Sequence, residues 1–250
     1  MGISWDSTEK DYSRGTMGLR NFGGVRWWFR FTLIALAVVF LWIFVRNDRI
    51  DEVGDFKKLS VMPVPRIKHE KVKITVYYEA LCPDSRSFVV RQVVPTYQKI
   101  PDNVVVQMVP YGKATTIPGP NGYTFNCQHG PRECEANTIH ACAIDVIKDP
   151  DVQLKFLACM IERNIWPQNI TRTCADRFHV DAEPIFKCYK SPRGAELLAK
   201  YGEMTHALPP PLKFIPTITL DNDIGNQIEI LKDLLRAVCK RFKHVPDGCH

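Results

Sequence analysis

The chain has no cysteine in its first 81 residues, no internal repeat and no low-complexity tract. It also lacks helix-turn-helix and zinc-finger spacings, and its basic residues form no patch. The net charge is +6, but residues 1–46 hold six Lys/Arg against three Asp/Glu, leaving 27 against 24 in the remainder, or +3. That excess is too mild and too scattered for a nucleic-acid footprint, so no nucleic-acid partner is expected. Hydrophobic residues at 45% and charged residues at 24% are ordinary for a globular protein. The 250 residues leave room for a short appendage and one domain with a proper core.

Charge is missing altogether from Phe31–Val45, the fifteen residues between Arg30 and Arg46. As a helix they span about 22 Å, short of a ~30 Å hydrocarbon core. Adding Trp27, Trp28 and Phe29, with Arg30 snorkelling outward, extends the stretch to 19 residues. Residues 27–46 are therefore expected to be an uncleaved signal anchor, making a single-pass membrane protein. A cleaved signal peptide is the alternative and would give a secreted protein. Against it, thirty residues precede the run and no small-x-small pattern follows Val45. Arg20, Arg26 and Arg30 favour a cytoplasmic segment 1–26, while Arg46 and Arg49 weaken that bias.

Either reading puts the rest of the chain in the secretory lumen. Asn169-Ile170-Thr171 is the only glycosylation sequon. All nine cysteines follow the apolar segment, a density ordinary for an oxidising compartment and high for a reducing one.

Residues 47–71 read as a polar linker in which Pro63 and Pro65 discourage helix. "KITVYYEA" (73–80) alternates Ile74, Val76 and Tyr78 on one face and is rich in β-formers, so a strand is expected. A helix should open at Pro83, with Phe88, Val89, Val93 and Tyr97 facing the core and Pro95 kinking it. "NVVVQMVPY" (103–111) is a second strand, followed by a Gly/Pro/Asn-rich loop over 112–126. Residues 133–206 read mostly helical. "IPTITL" (215–220) is a strand opening on a proline, and "QIEILKDLLRAVCKRF" is a final amphipathic helix. The order βαβ, helical insertion, β, α is a thioredoxin-type α/β plan, with the insertion over about 127–207 of a domain spanning 72–250.

Nine cysteines is an odd number, so one is left over if the rest pair within the chain. Position singles out Cys82, at a strand's end and a helix's start, where unpaired N–H groups and partial positive charge favour a thiolate. Cys127, Cys134, Cys142, Cys159, Cys174, Cys188, Cys239 and Cys249 read as a network of four structural disulfides. Their connectivity stays open, since eight cysteines allow 105 pairings. A zinc reading of Cys127, His129, Cys134, His140 and Cys142 is disfavoured. Those cysteines lie seven and eight positions apart, whereas structural zinc ligands pair two to four residues apart. His129 and His140 are expected as packing or surface residues, and no metal or cofactor is expected.

"CQHGPRECEANTIHAC" matches C-Q-H-G-x-x-E-C-x-x-N-x-x-x-x-C through Cys127, Gln128, His129, Gly130, Glu133, Cys134, Asn137 and Cys142. This resembles the signature of the gamma-interferon-inducible lysosomal thiol reductases. "YYEALC" resembles the strand that delivers that family's active-site cysteine, and "VPYG" (109–112) is also similar. The resemblance runs from about residue 72 to the C-terminus. It implies a thioredoxin-like reductase with a disulfide-rich helical insertion, acting on protein disulfides in lumenal or lysosomal compartments. It also implies a cis peptide at Pro216, opening the third strand opposite the active-site cysteine, with the Ile215 backbone pairing with substrate. The chain departs from the family in its expected membrane anchor, and in one residue at its centre. The family's C-x-x-C reads Cys82-Pro83-Asp84-Ser85 here.

A dithiol reductase attacks a substrate disulfide with one thiolate and resolves the mixed disulfide with the second. Cys82 retains the first step, but the Ser85 alcohol cannot perform the second. Its hydroxyl is expected to donate a hydrogen bond to the Cys82 thiolate, and Asp84 to support the helix N-terminus. Three readings follow. Cys82 acts as a monothiol oxidoreductase with an external thiol such as glutathione as resolver, or captures client proteins as lasting mixed disulfides. In the third, the domain is an inactive lumenal scaffold.

Overall fold

A computed structural model describes residues 34–43, 71–120 and 122–250. They belong to two units, Met1–Ile67 and Lys68–His250. In the first unit residues 34–43 form a helix with exposed side chains. Ten residues rise about 15 Å, half of a ~30 Å hydrocarbon core. Among the described residues no helix is long and apolar enough to cross a membrane, so the expected single-pass anchor over 27–46 finds no support there. Its flanks, the segment 1–26 and the linker up to residue 70 lie outside the described residues.

The second unit opens with β1 (Val72–Tyr78), the middle strand of a three-stranded sheet. It pairs in parallel with β2 (Val104–Pro110), from Val72 opposite Val104 to Tyr78 opposite Pro110. It pairs antiparallel with β5 (Thr217–Leu220), from Ile74 opposite Leu220 to Tyr77 opposite Thr217. Ile74, Val76 and Tyr78 are fully buried in the main core, as the alternation predicts. Thr75 and Tyr77 are buried as well, because the second face is also covered: Tyr77 packs with Val109 and Leu208. Burial on both faces is the usual lot of a strand with a parallel neighbour.

Between β1 and β2 the chain forms α1 (Pro83–Phe88), a π-helical turn at Val89–Val93 and α2 (Val94–Lys99). The irregularity expected at Pro95 therefore falls one turn earlier. Pro95 has no N–H to offer the Arg91 carbonyl and its ring crowds that carbonyl. The helix widens to compensate, and Val94 N–H donates to the Val89 carbonyl five residues back.

Residues 112–126 are not the loop their composition predicts. β3 (Thr115–Gly119) and β4 (Gly122–Asn126) form an antiparallel hairpin outside the main sheet. Pro118 and Gly119 concealed it, yet both strands of a two-stranded ribbon are edges, where Pro118 opposite Tyr123 costs no ladder of a central strand.

The helical insertion comprises α3 (Pro131–Val146), α4 (Pro150–Glu162), α5 (Pro167–Phe178), α6 (Glu183–Tyr189) and α7 (Pro192–His206). α3 is buried continuously from Ala136 to Ala143. Its alanines let neighbouring elements approach, and its Asn137 and His140 turn toward the end of β1, as described below. Disulfides cross-link this layer: Cys142–Cys188 joins α3 to α6, and Cys159–Cys174 joins α4 to α5. Cys127–Cys134 closes the turn before α3, and Cys239–Cys249 ties down the C-terminus. The single C-terminal helix expected over 227–242 is two, α8 (Gln227–Lys232) and α9 (Leu234–Cys239). Asp233 separates them, because its carboxylate accepts from Arg236 N at 3.0 Å and caps the second.

The Cys159–Cys174 bridge closes a 15-residue separation, worth about 3 kcal/mol of restricted unfolded-state freedom. Replacing both cysteines with alanine should lower the calorimetric midpoint by roughly 6–12 °C for a domain of this size.

Candidate functional site

Cys82 is the single free cysteine and is 8% exposed. It occupies the N-cap of α1 with extended backbone (φ −66°, ψ 123°), and Pro83 begins the helix. Its N–H donates to the Glu79 carbonyl at 3.3 Å, and its carbonyl accepts from Arg86 N at 3.0 Å. The turn Glu79-Ala80-Leu81 delivers it from β1.

That turn lies in the interior, so each of its peptide groups needs a partner. The Ala80 peptide groups are held from both sides: Ala80 N donates to Asn137 Oδ1 of α3 at 2.8 Å, and the Ala80 carbonyl accepts from Asn164 Nδ2 at 3.0 Å. Asn164 Nδ2 also approaches His140 Nε2 at 3.3 Å, and His140 Nδ1 lies 2.8 Å from Tyr78 Oη. With the amide donating at Nε2, a neutral imidazole donates at Nδ1 to Tyr78 Oη. Burial holds the His140 imidazole down at about 3 and raises the Tyr78 hydroxyl well above its usual range. His140 thus stays uncharged well into mildly acidic solution, and the network keeps one hydrogen-bond pattern.

Ser85 is fully buried at the position of the missing second thiol. Its Oγ accepts from Glu79 N at 3.3 Å. This bond fastens α1 to the turn that carries Cys82 and uses only an acceptor site of the hydroxyl, whose proton is still available for donation. Asp84 is exposed in the first turn of α1. Pro216 follows a cis peptide bond. The β1–β5 register, Tyr77 opposite Thr217, sets Pro216 level with Tyr78 at the end of β1 that carries Cys82.

Glu79 and Glu133 are 1% and 0% exposed. Glu79 Oε1 accepts from Lys113 N at 2.8 Å. Gly112 (φ +61°) makes the space, since a Cβ there would stand 2.2 Å from Glu79 Cγ. Burial pushes the Glu79 carboxyl above its usual range, and the nearby Glu133 charge adds to that. His129 sits between the two carboxylates. Its Nδ1 is 2.6 Å from Glu133 Oε2 and 3.4 Å from Glu79 Oε2, and its backbone N donates to Glu133 Oε1 at 3.1 Å. His129, Leu81, Pro131, Arg132, Glu135 and Tyr189 line one shallow groove beside the turn.

The structure thus brings Cys82 and Ser85 together and sets Pro216 level with the turn that carries them. The zinc cluster weighed from sequence does not form: Cys127, Cys134 and Cys142 lie in disulfides, and His140 is enclosed in the core. Asn169 is exposed on α5, and its sequon partner Thr171 is buried with its hydroxyl donating to the Pro167 carbonyl. Asn164 was missed, as it stands in no motif and acts across 84 residues. Glu79 carried a faint signal, a carboxylate wedged between strand residues and apolar Ala80-Leu81.

Residues 73–178 match the family model described as gamma interferon inducible lysosomal thiol reductase (GILT). The chain is 32% identical over 205 residues to a gamma-interferon-inducible lysosomal thiol reductase-like protein of Anopheles gambiae, covering 76% of this chain and 85% of that one. It belongs to the GILT family. GILT-like protein 1 of Drosophila melanogaster is 36% identical over 172 residues, 63% of this chain and 69% of that one. Among solved structures, reduced DsbA from Mycobacterium tuberculosis overlaps 71% of this chain and 85% of its own at 17% identity, with a TM-score of 0.47. Membership makes the chain a thiol oxidoreductase, and the sheet order β2-β1-β5 with Cys82 at the start of α1 is the thioredoxin-like plan.

The neutral His140 leaves a signature in stability. Its imidazole is held near 3 when folded against 6.5 when free, so the unfolded chain binds the extra proton between those limits. The stability it contributes is complete above pH 6.5 and is lost as pH falls toward 3, at about 1.4 kcal/mol per pH unit. Urea unfolding across this range should show that slope in the difference between wild type and His140→Gln, which cancels the contributions of other groups such as Glu79.

Proposed function

We propose that this chain reduces protein disulfides with Cys82 as its sole nucleophile and an external thiol as resolver. The observation that carries the reading is the cysteine inventory: the other eight are paired in four disulfides, and Ser85 holds the resolving position. No second thiol of the chain is free to finish the reaction.

The reaction runs through three thiol–disulfide exchanges. The Cys82 thiolate attacks a substrate disulfide, forming a Cys82–substrate disulfide and releasing one substrate thiolate. A glutathione thiolate attacks the Cys82 sulfur, freeing the second substrate thiolate and leaving Cys82 glutathionylated. A second glutathione regenerates Cys82 and leaves as oxidised glutathione. Protons taken from the thiols end on the two substrate sulfurs. Residues on the Ala80 turn and α1 keep the sulfur at the helix N-terminus, and Pro216 with the Ile215 backbone is the place for the substrate chain.

A second reading, capture of clients as lasting mixed disulfides, is favoured by the same thiol's low exposure, 8%, which shields an adduct from small thiols. The compartment that suits either reading is the secretory or lysosomal lumen. Four disulfides, the Asn169 sequon and relatives named as lysosomal thiol reductases support it. Residues 27–46 would serve as signal anchor, or as a cleaved signal releasing a secreted protein.

The test incubates the purified full chain with a disulfide-bonded protein at pH 5 and pH 7, with and without glutathione, scoring released thiol and covalent adduct. Multiple turnovers that need both Cys82 and glutathione are expected. One stable equivalent of adduct would establish capture instead, and equal behaviour of Cys82→Ala and wild type would overturn both. Ser85→Cys should shorten the adduct's lifetime at least tenfold without added thiol, since it restores a resolver one helical turn away.

A further inference from the structure

We infer that Glu79, His129 and Glu133 form a binding site for a divalent cation of the Zn²⁺ class, distinct from the Cys82 thiol. Their donor atoms, one imidazole nitrogen and two carboxylate oxygens, all lie within 4.8 Å of one another. Both carboxylates are buried, at 1% and 0% exposure, and among the described residues neither forms an ion pair with Lys or Arg. Two buried carboxyl groups share a single imidazole as their one nearby basic partner.

The hydrogen bonds show where compensation is missing. His129 Nδ1 carries at most one proton and directs it to Glu133 Oε2 at 2.6 Å. Glu79 Oε2, 3.4 Å from the same nitrogen, receives no hydrogen bond from any protein donor although it is buried. An ion replacing the Nδ1 proton would meet all three groups, with the proton released to solvent.

The donors are held in place before any ion arrives. Glu79 is oriented by Lys113 N and accommodated by Gly112. Glu133 is fixed by His129 N, and the Cys127–Cys134 disulfide closes the turn that carries both residues. In a tetrahedral site with bonds of about 2.1 Å, neighbouring donors stand ~3.4 Å apart. The His129–Glu79 distance already equals that, and the 2.6 Å His129–Glu133 contact would open when the ion displaces its proton. One imidazole with two carboxylates suits zinc, whereas magnesium and calcium favour all-oxygen shells. His129 borders the groove, so the fourth position has access to water.

The test titrates Zn²⁺ at pH 7 into the untagged, chelator-stripped full chain by calorimetry, alongside Cys82→Ala, His129→Ala and Glu79→Gln. Expected are one ion per chain, affinity within twofold of wild type in Cys82→Ala, and at least tenfold weaker binding in the other two variants. X-ray absorption of the loaded Cys82→Ala chain should show nitrogen and oxygen neighbours only. Absence of saturable binding, loss of binding with Cys82→Ala, or full affinity in Glu79→Gln would each overturn the proposal. Glu79→Gln keeps the side chain's shape and the acceptor for Lys113 N, so it decides the matter even if His129→Ala fails to fold.

Discussion

A turn buried in a protein interior must find partners for its own peptide groups, and the reactive end of this domain depends on how that requirement is met. Ala80, two residues before the thiol, donates to Asn137 and accepts from Asn164. Losing one such partner leaves a buried polar group unsatisfied, at a cost of about 1–3 kcal/mol. The position of Cys82 is therefore set by residues remote in sequence, Asn137 on α3 and Asn164 between α4 and α5, as much as by the strand that precedes it. His140 extends the arrangement to Tyr78, so the last residue of β1 and the turn beyond it share one support.

Much of the α/β frame was legible because its signals are local. Ile74, Val76 and Tyr78 declare β1, Pro83 declares the start of a helix, and "PTITL" declares β5. The odd count of cysteines left one over, and its place at a strand's end and a helix's start singled out Cys82 without any knowledge of the pairing. What stayed hidden depends on contacts between distant residues. α3 gives no amphipathic pattern because both its faces are covered, and its buried Asn137 and His140 look like surface residues until β1 is placed against them. The Cys142–Cys188 bridge spans 46 positions, and nothing local distinguishes it from the other pairings. The β3–β4 hairpin was masked by prolines and glycines that a two-stranded ribbon tolerates at its edges.

Ser85 illustrates how a single atom can change a reaction while leaving a fold untouched. It is enclosed, it accepts a hydrogen bond from Glu79 N, and it holds α1 to the turn. A serine there is structurally employed, so its presence is no sign of decay in the surrounding scaffold. The four disulfides, meanwhile, remove every other sulfur that might take over the missing step. Under the proposed reading, the second exchange falls to a thiol from outside the chain.

The dependence of Ala80 on Asn164 has a consequence for modularity. Sequence pieces such as "YYEALC" are often regarded as portable cassettes, to be exchanged between scaffolds of the same topology. Here the cassette carries only half of its own geometry; the remainder is lodged in the connection between α4 and α5, 84 residues away. Grafted alone onto another sheet, it would arrive without the groups that shape it. Trimming the helical layer to a minimal domain would take those groups away. Within this chain the strand end and the two asparagines make a single unit of geometry.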